Sequence, residues 1–339
     1  MLDTIKQLCE INAPSGAEEP VRKAIIERIL GFAEYSTDAL GNLIGFKKGK
    51  QEAKNKVLLA AHMDEVGFIV RYVEDSGLLR FACVGGIDTR VIVGKRLLVG
   101  EKAVTGVIGT KPIHLTKGDE RETMPDIDSL YIDIGAKDKE DALKYVSPGD
   151  YAVFESGVVN FGDNLIKAKA LDDRAGCAVL IEMIRSELAY DTWFTFNVQE
   201  EVGCRGAMVS AYTVAPDYAI VLEATTAADI AGVEEGKQVC ELGKGPVVSF
   251  MDRGTVYDRE LYRMAFELAE KAGIHCQPKQ LVAGSNEASA IHKVRGGIKT
   301  LAISMPCRYI HSPSCVLKTE DISETLILAK AAAEHLAKL

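Results

Sequence analysis

Hydrophobic and polar positions change period several times along the chain, and each change predicts an element. Leu2, Ile5 and Leu8 make one stripe and Val21, Ala24, Ile25 and Ile29 another, so residues 2–30 predict two amphipathic helices broken at Asn12-Ala13-Pro14-Ser15-Gly16. Glu18-Glu19-Pro20 opens the second helix, where proline is tolerated because a first-turn amide needs no partner. Residues 37–46 predict a short strand pair turning at Gly41-Asn42. Lys56 to Gly67 begins as an unbroken apolar run, the pattern of a strand buried on both faces, and ends in His62 and Asp64.

From about Phe68 to Phe161 the texture becomes short Val/Ile/Leu-rich strands separated by glycines, with almost no helical period. This predicts an all-β, barrel-like insert. The polar run Lys117-Gly118-Asp119-Glu120-Arg121-Glu122-Thr123 reads as a mobile loop within it. A Val/Ile/Lys-rich strand then stops at Asp172-Asp173, where an apolar helix begins, and alternation resumes: helix 174–188, strand 192–198, helix 204–212, strand 218–222, helix 259–271, strands 274–278 and 298–304, helix 321–337. The expected fold class is α/β, a mostly parallel sheet with helices on both faces. Residues 1–67 and 162–339 would form one domain and 68–161 an inserted β domain.

A chain of 339 residues, 47% hydrophobic and 26% charged, is long enough for roughly two domains with ordinary cores. Its net charge of -9 argues against nucleic acid or an anionic membrane surface as partner. No stretch approaches the roughly 18 apolar residues of a membrane span, and Met1 to Lys6 lacks a basic region leading into an apolar run. Eight scattered cysteines without a Cys-x-x-Cys pair read as buried thiols of a reducing compartment, so a cytoplasmic location is expected.

Candidate chemistry gathers where strands end. His62 and Asp64 follow one strand, Asp172-Asp173 another, Gln199-Glu200-Glu201 a third, Glu223 a fourth and His311 a fifth. In a parallel sheet such ends open on one side, and two histidines among carboxylates suit Zn, Co or Mn. Asp is also an ordinary helix N-cap, so the Asp pair by itself is open to either reading. Asp64, two residues along extended chain from His62, can accept from the ring nitrogen that does not face a metal. Adjacent Glu200 and Glu201 diverge, so one can ligate while the other handles protons.

Four ordered motifs, His62-Met63-Asp64-Glu65-Val66-Gly67, Ala170-Leu171-Asp172-Asp173-Arg174-Ala175-Gly176, Gln199-Glu200-Glu201-Val202-Gly203-Cys204-Arg205-Gly206-Ala207 and Arg308-Tyr309-Ile310-His311-Ser312-Pro313, resemble the tetrahedral or glutamyl aminopeptidases. The resemblance implies a dinuclear metallopeptidase in which Asp172 bridges two divalent ions, Zn or Co with Mn as a third choice. His62 and Glu223 would complete one site, Glu201 and His311 the other, with Glu200 as general base and Asp64 supporting His62. It implies a cis Asp172-Asp173 peptide, hydrolysis of N-terminal residues from peptides by a water shared between the metals, and an insert used for dimerisation. It further implies a homo-oligomer, at least a dimer and often a tetrahedral dodecamer. A second subunit would also cover the insert's edge strands. The chain departs from the family in Glu223, where Asp is more usual, in Gly284-Ser285-Asn286-Glu287-Ala288-Ser289, and in Cys315.

Two other readings compete. Paired carboxylates also serve glycoside hydrolysis, and relatives have been labelled endoglucanases, but two histidines and one Trp fit a sugar site poorly. A metal-binding assembly protein without catalysis would lack a base or ligand, and every expected position is occupied.

Overall fold

The computed structural model describes residues 1–118 and 122–339. Residues 119–121 of the expected loop therefore lie outside the described residues. Two helices come first, α1 (Leu2–Cys9) and α2 (Glu19–Ile29), followed by the strand pair β1 (Glu34–Thr37) and β2 (Leu43–Lys47). Next is β3 (Val57–His62), buried along its whole length.

The large sheet has eight strands in the order β1-β2-β12-β3-β13-β16-β14-β15, with β12 (Thr192–Asn197), β13 (Tyr218–Thr226), β14 (Val247–Val248), β15 (Gln277–Pro278) and β16 (Lys299–Cys307). Its four central strands, β12, β3, β13 and β16, are parallel, while β1 and β2 run antiparallel to their neighbours and β14 runs antiparallel to β16 but parallel to β15. The sheet is thus mixed, parallel where the candidate residues sit. The strand expected over 274–278 shrinks to Gln277–Pro278.

Side-chain alternation sorts the central strands between two cores. Val57, Leu59 and Ala61 of β3 join Ile220 and Leu222 of β13 in the larger core, under α4 (Leu171–Arg185), α6 (Arg259–Ala272) and α8 (Thr319–Lys338). Leu58 and Ala60 face the other way with Ala219 and Val221, against α5 (Arg205–Val214) and the short α7 (Ala288–Ile291). That near-continuous apolar character needs helices on both faces, and they are there.

β4 (Gly67–Val73), β5 (Leu79–Val84), β6 (Arg96–Val99), β7 (Val104–Gly109), β8 (Tyr131–Asp133) and β9 (Tyr151–Phe154) close into a six-stranded antiparallel barrel with its own apolar interior. One four-residue helix, α3 (Lys139–Ala142), interrupts the β pattern. Because β9 pairs with both β4 and β6, the barrel has no free edge, which removes the expected need to cover one.

A second difference concerns the strand before Asp172. β11 (Leu165–Ala168) is not part of the large sheet; it lies between β10 (Val159–Phe161) and β17 (Cys315–Lys318) in a separate antiparallel sheet. A short Val/Ile/Lys run looks alike in any sheet, so its partners are set by the chain on either side. Among the described residues no helix is long and apolar enough to cross a membrane, and all eight cysteines are free.

Candidate metal centre

β3 and β12 pair in register up to His62 opposite Asn197. β13 pairs with β3 up to Val221 opposite Ala60, which brings Glu223 two residues later level with His62. Glu223 therefore lies within a strand that runs on to Thr226, rather than after its end. His311 follows β16 by four residues, and Asp172 enters from the first turn of α4. His62, Asp172 and Glu223 offer ligand atoms within 4.8 Å of one another, and Asp172, Glu201 and His311 do the same. Asp172 belongs to both groups, one oxygen to each.

Contact distances within the groups are uniform. His62 Nε2 lies 3.4 Å from Asp172 Oδ1 and 3.3 Å from Glu223 Oε1, and His311 Nε2 lies 3.4 Å from Asp172 Oδ2 and 3.3 Å from Glu201 Oε2. These separations are long for hydrogen bonds. They equal the edge of a tetrahedron around an ion with ligands at about 2.0–2.1 Å, about 3.3 Å. Asp172 Oδ1 and Glu223 Oε2 are buried without a hydrogen-bond partner, as oxygens reserved for a cation would be. The donor set fits a pair of borderline divalent ions.

Electrostatics agree with that fit. Burial disfavours charge on His62 and His311, yet the carboxylates around them prevail and hold both rings above their ordinary value, His311 to about 10. Burial and the crowding of like charges push Glu201 and Glu223 well up. Such a cluster carries more negative charge than its own side chains neutralise, the condition a bound cation relieves. Glu200 is raised chiefly by burial.

The supports explain why these residues stay in place. His62 Nδ1 lies 3.1 Å from the Asp64 carbonyl and 3.4 Å from Asp64 Oδ1, which turns Nε2 towards the cluster. The Asp64 carboxylate also accepts from Ser15 Oγ at 2.6 Å and from the amides of Glu200 and Glu201 at 3.0 and 3.1 Å, so it fixes the loop carrying both glutamates. Asp173 Oδ1 accepts from the Gly176 amide at 3.0 Å. Both readings of the Asp pair are therefore realised, Asp173 capping the helix and Asp172 facing the cluster. Their peptide bond is cis, as the resemblance implies. Ala170, Gln199 and His311 have positive φ without being glycine, backbone strain concentrated beside the cluster.

Several contributors carry no periodic signal. His311 Nδ1 lies 2.7 Å from the Gly86 carbonyl, a contact from the loop after β5 that directs its Nε2 inward. Arg174, fully buried, donates to the carbonyls of Met63 at 2.7 Å and Leu8 at 2.6 Å, tying α4 to the residue after His62. Lys169 Nζ pairs with Glu65 at 2.7 Å and with Asn12 at 3.0 Å in the same buried layer. Glu287 is fully buried, accepts from Asn197 Nδ2 at 2.8 Å, and is raised to about 8 by burial. A buried acid in a loop breaks no pattern, so only its motif position could have pointed to it.

Comparison with known proteins now bears on the cluster. The family described as M42 glutamyl aminopeptidase matches residues 41–328. The chain belongs to the M42 family. It is an aminopeptidase, a hydrolase of peptide bonds, and as a metallopeptidase it uses divalent metal. A relative from Acetivibrio thermocellus, named putative aminopeptidase, is 39% identical over 97% of this chain and 97% of its own. The lysyl aminopeptidase of Pyrococcus furiosus is 32% identical over 98% of this chain and 97% of its own. Among solved structures, the Pyrococcus horikoshii TET1 peptidase, described as able to assemble into a tetrahedron or a large octahedral shell, is 38% identical with a TM-score of 0.86, covering 98% of each chain.

Proposed function

We propose that this M42 aminopeptidase holds two divalent cations, one on His62, Asp172 and Glu223 and one on Asp172, Glu201 and His311, and removes N-terminal residues from peptides. The observation that carries the reading is the shared Asp172, with one oxygen 3.4 Å from each histidine. Zn or Co suits two imidazoles with carboxylates best, with Mn next. Ions bound there supply Lewis-acid polarisation of the scissile carbonyl and bring a water's pKa down towards neutrality.

The chain's own residues do the rest. Glu200 acts as general base, taking a proton from the attacking water and delivering it to the leaving amine. Burial raises its carboxyl, which suits a group that must both take and give a proton near neutral pH. The Cys204 thiol donates to Glu200 Oε1 at 3.1 Å and fixes one oxygen. Asp64 orients His62 and the Glu200-Glu201 loop together. The longer Glu223 reaches His62 at the same 3.3 Å that Glu201 keeps from His311, so the extra methylene leaves the two sites alike.

Glycoside hydrolysis is disfavoured because the histidines stand among the carboxylates at 3.3–3.4 Å, where that chemistry needs two acids free to flank a sugar. Residues 1–67 and 162–339 form the catalytic unit and 68–161 the assembly unit of a homo-oligomer, at least a dimer and by analogy with the TET1 peptidase a dodecamer. Exposed Ile113, Leu115 and Met124 in the insert support a contact there. Eight free thiols support a cytoplasmic location.

Release of a chromophore from aminoacyl nitroanilides, with carboxymethyl-cellulose in parallel, tests the reading. Expected are anilide turnover abolished by chelator and restored by Zn, Co or Mn, and no action on the polysaccharide. Chelator-resistant turnover would overturn it.

A further inference from the structure

A cavity of about 920 Å³ lies between the body and the barrel, and none of the proposed metal ligands lines it. Its walls are the loop between α1 and α2 and the turn between β1 and β2 on one side, and the turn between β6 and β7 with the start of β9 on the other. Small-molecule sites commonly enclose about 300–1,000 Å³.

Five carboxylates line it against one guanidinium. Two of the five are matched. Glu19 pairs with Lys23 at 2.7 Å, and Asp38 accepts from the amides of Leu40, Gly41 and Asn42 and from Asn42 Nδ2 within its own turn. The other three have no cation among the described residues. Glu18 is only 5% exposed; its Oε1 accepts from the amides of Gly16 at 2.7 Å and Gln199 at 3.0 Å, while its Oε2 bonds to no described residue. Asp150 uses Oδ2 for the Ser147 amide at 2.9 Å and leaves Oδ1 over, and Glu101 makes neither a hydrogen bond nor an ion pair among the described residues. The Tyr151 hydroxyl, 2.6 Å from where a Cβ on Gly16 would stand, has no hydrogen-bond partner among them either. Arg22, the one guanidinium, is turned to the Gly41 carbonyl, 3.0 Å from its Nη1.

A carboxylate as buried as Glu18 is costly without a cation. A single metal ion does not answer all three, because among the described residues only the two groups at the proposed metal centre bring three ligand atoms within 4.8 Å of one another. Charges spread along a cavity wall call for a cation that is itself spread out.

We infer that this cavity binds an extended organic cation with two or more alkylammonium groups, one on Glu18 and another on Asp150 and Glu101. Ammonium donors give charge-assisted hydrogen bonds to the free carboxylate oxygens and to the Tyr151 hydroxyl. A linear polyamine and a lysine-rich chain segment both carry that chemistry. The cavity backs onto the active-site loop through Glu18 and Gln199 without entering the metal centre, so a cation held there does not compete with substrate.

The test is calorimetry of the metal-loaded full chain with spermidine and, separately, with acetyl-trilysine amide, which has no free N-terminus to be cleaved. One probe is expected to bind per chain, more weakly as salt rises, and the tighter of the two names the source. Glu101→Gln with Asp150→Asn is expected to weaken binding at least about 10-fold while anilide turnover and circular dichroism stay unchanged. Glu101→Lys, a single change at an exposed position, is expected to weaken it too. No saturable binding of either probe overturns the inference. So does binding that neither variant moves, which would be general attraction to a chain of net charge -9. Competitive inhibition of anilide turnover by spermidine would place the amine at the active site and overturn it as well. Binding is read without turnover, so failure of the aminopeptidase reading would show separately, as inactivity on every anilide.

Discussion

Glu200 is held at both ends, its amide bound to Asp64 Oδ1 at 3.0 Å and its Oε1 accepting from Cys204. Glu200→Gln keeps that shape and removes only the ability to accept a proton. Turnover should fall by about 10²–10⁴ while elemental analysis still finds the metals; near wild-type turnover would mean another carboxylate is the base. Glu287 gives a second test at this scale. In the fold it keeps its proton up to about pH 8, whereas the unfolded chain loses it near the ordinary value of 4.5. The native state binds the extra proton between those limits, so its contribution to stability is full below pH 4.5 and falls as pH rises towards 8. Glu287→Gln should flatten the decline of Tm between pH 5 and 8, measured on the metal-free protein; parallel curves for the two proteins would show that Glu287 is not the source. His62, Asp172, Glu201 and His311 were legible because each sits at or just past an element boundary that hydrophobic pattern marks, and Glu223 because it interrupts an apolar run inside its strand. Arg174, Lys169 and Glu287 were not, because a buried charged or acidic group is revealed by the partners around it, and those come from distant parts of the chain.

Among the elements, the turn from β12 into α5 is closely packed. Gly206 packs so closely that a Cβ would stand 2.2 Å from Asn42 Oδ1 and 2.4 Å from the Val198 carbonyl. Asn42 Oδ1 in turn accepts from the Val198 amide at 2.9 Å, which anchors the start of the Gln199-Glu200-Glu201 loop. Gly206→Ala, worth up to about 1 kcal/mol of stabilisation in a free helix, should here destabilise by about 1–3 kcal/mol and lower turnover. Urea unfolding checks it, and a raised midpoint would show that α5 can shift without cost. Central strands were readable for a related reason. β3 as far as Ala61 and β13 from Ala219 to Leu222 are buried on both faces, so these runs are apolar and the polar residues that follow them stand out. β11 resembles them in composition but pairs with β17, more than a hundred residues later, and only that long-range pairing separates it from the large sheet. The two-residue β14 and β15 are too short to carry a period.

At the scale of the whole molecule, the barrel contributes to the cluster without supplying a ligand. Its strands leave the body directly after His62, and the loop following β5 returns the Gly86 carbonyl to His311 Nδ1 at 2.7 Å. Any force on the barrel is therefore transmitted to one of the two proposed metal sites. The closed barrel has no strand edge to offer a partner, so a subunit contact has to use side chains. Ile113 at 74%, Leu115 at 53% and Met124 at 54% exposure lie together in sequence between β7 and β8, more apolar surface than a short polar segment ordinarily presents to water. If that segment is a subunit contact, light scattering at micromolar concentration should give a mass of at least twice the 36.7 kDa of one chain, and twelve times it for a tetrahedral shell. Ile113→Asp with Leu115→Asp should lower that mass by placing two carboxylates in the buried contact, while the circular dichroism of the fold is retained. A wild-type mass of one chain at every concentration would remove the assembly proposal altogether. An unchanged oligomer in the double variant would move the contact to another face of the molecule.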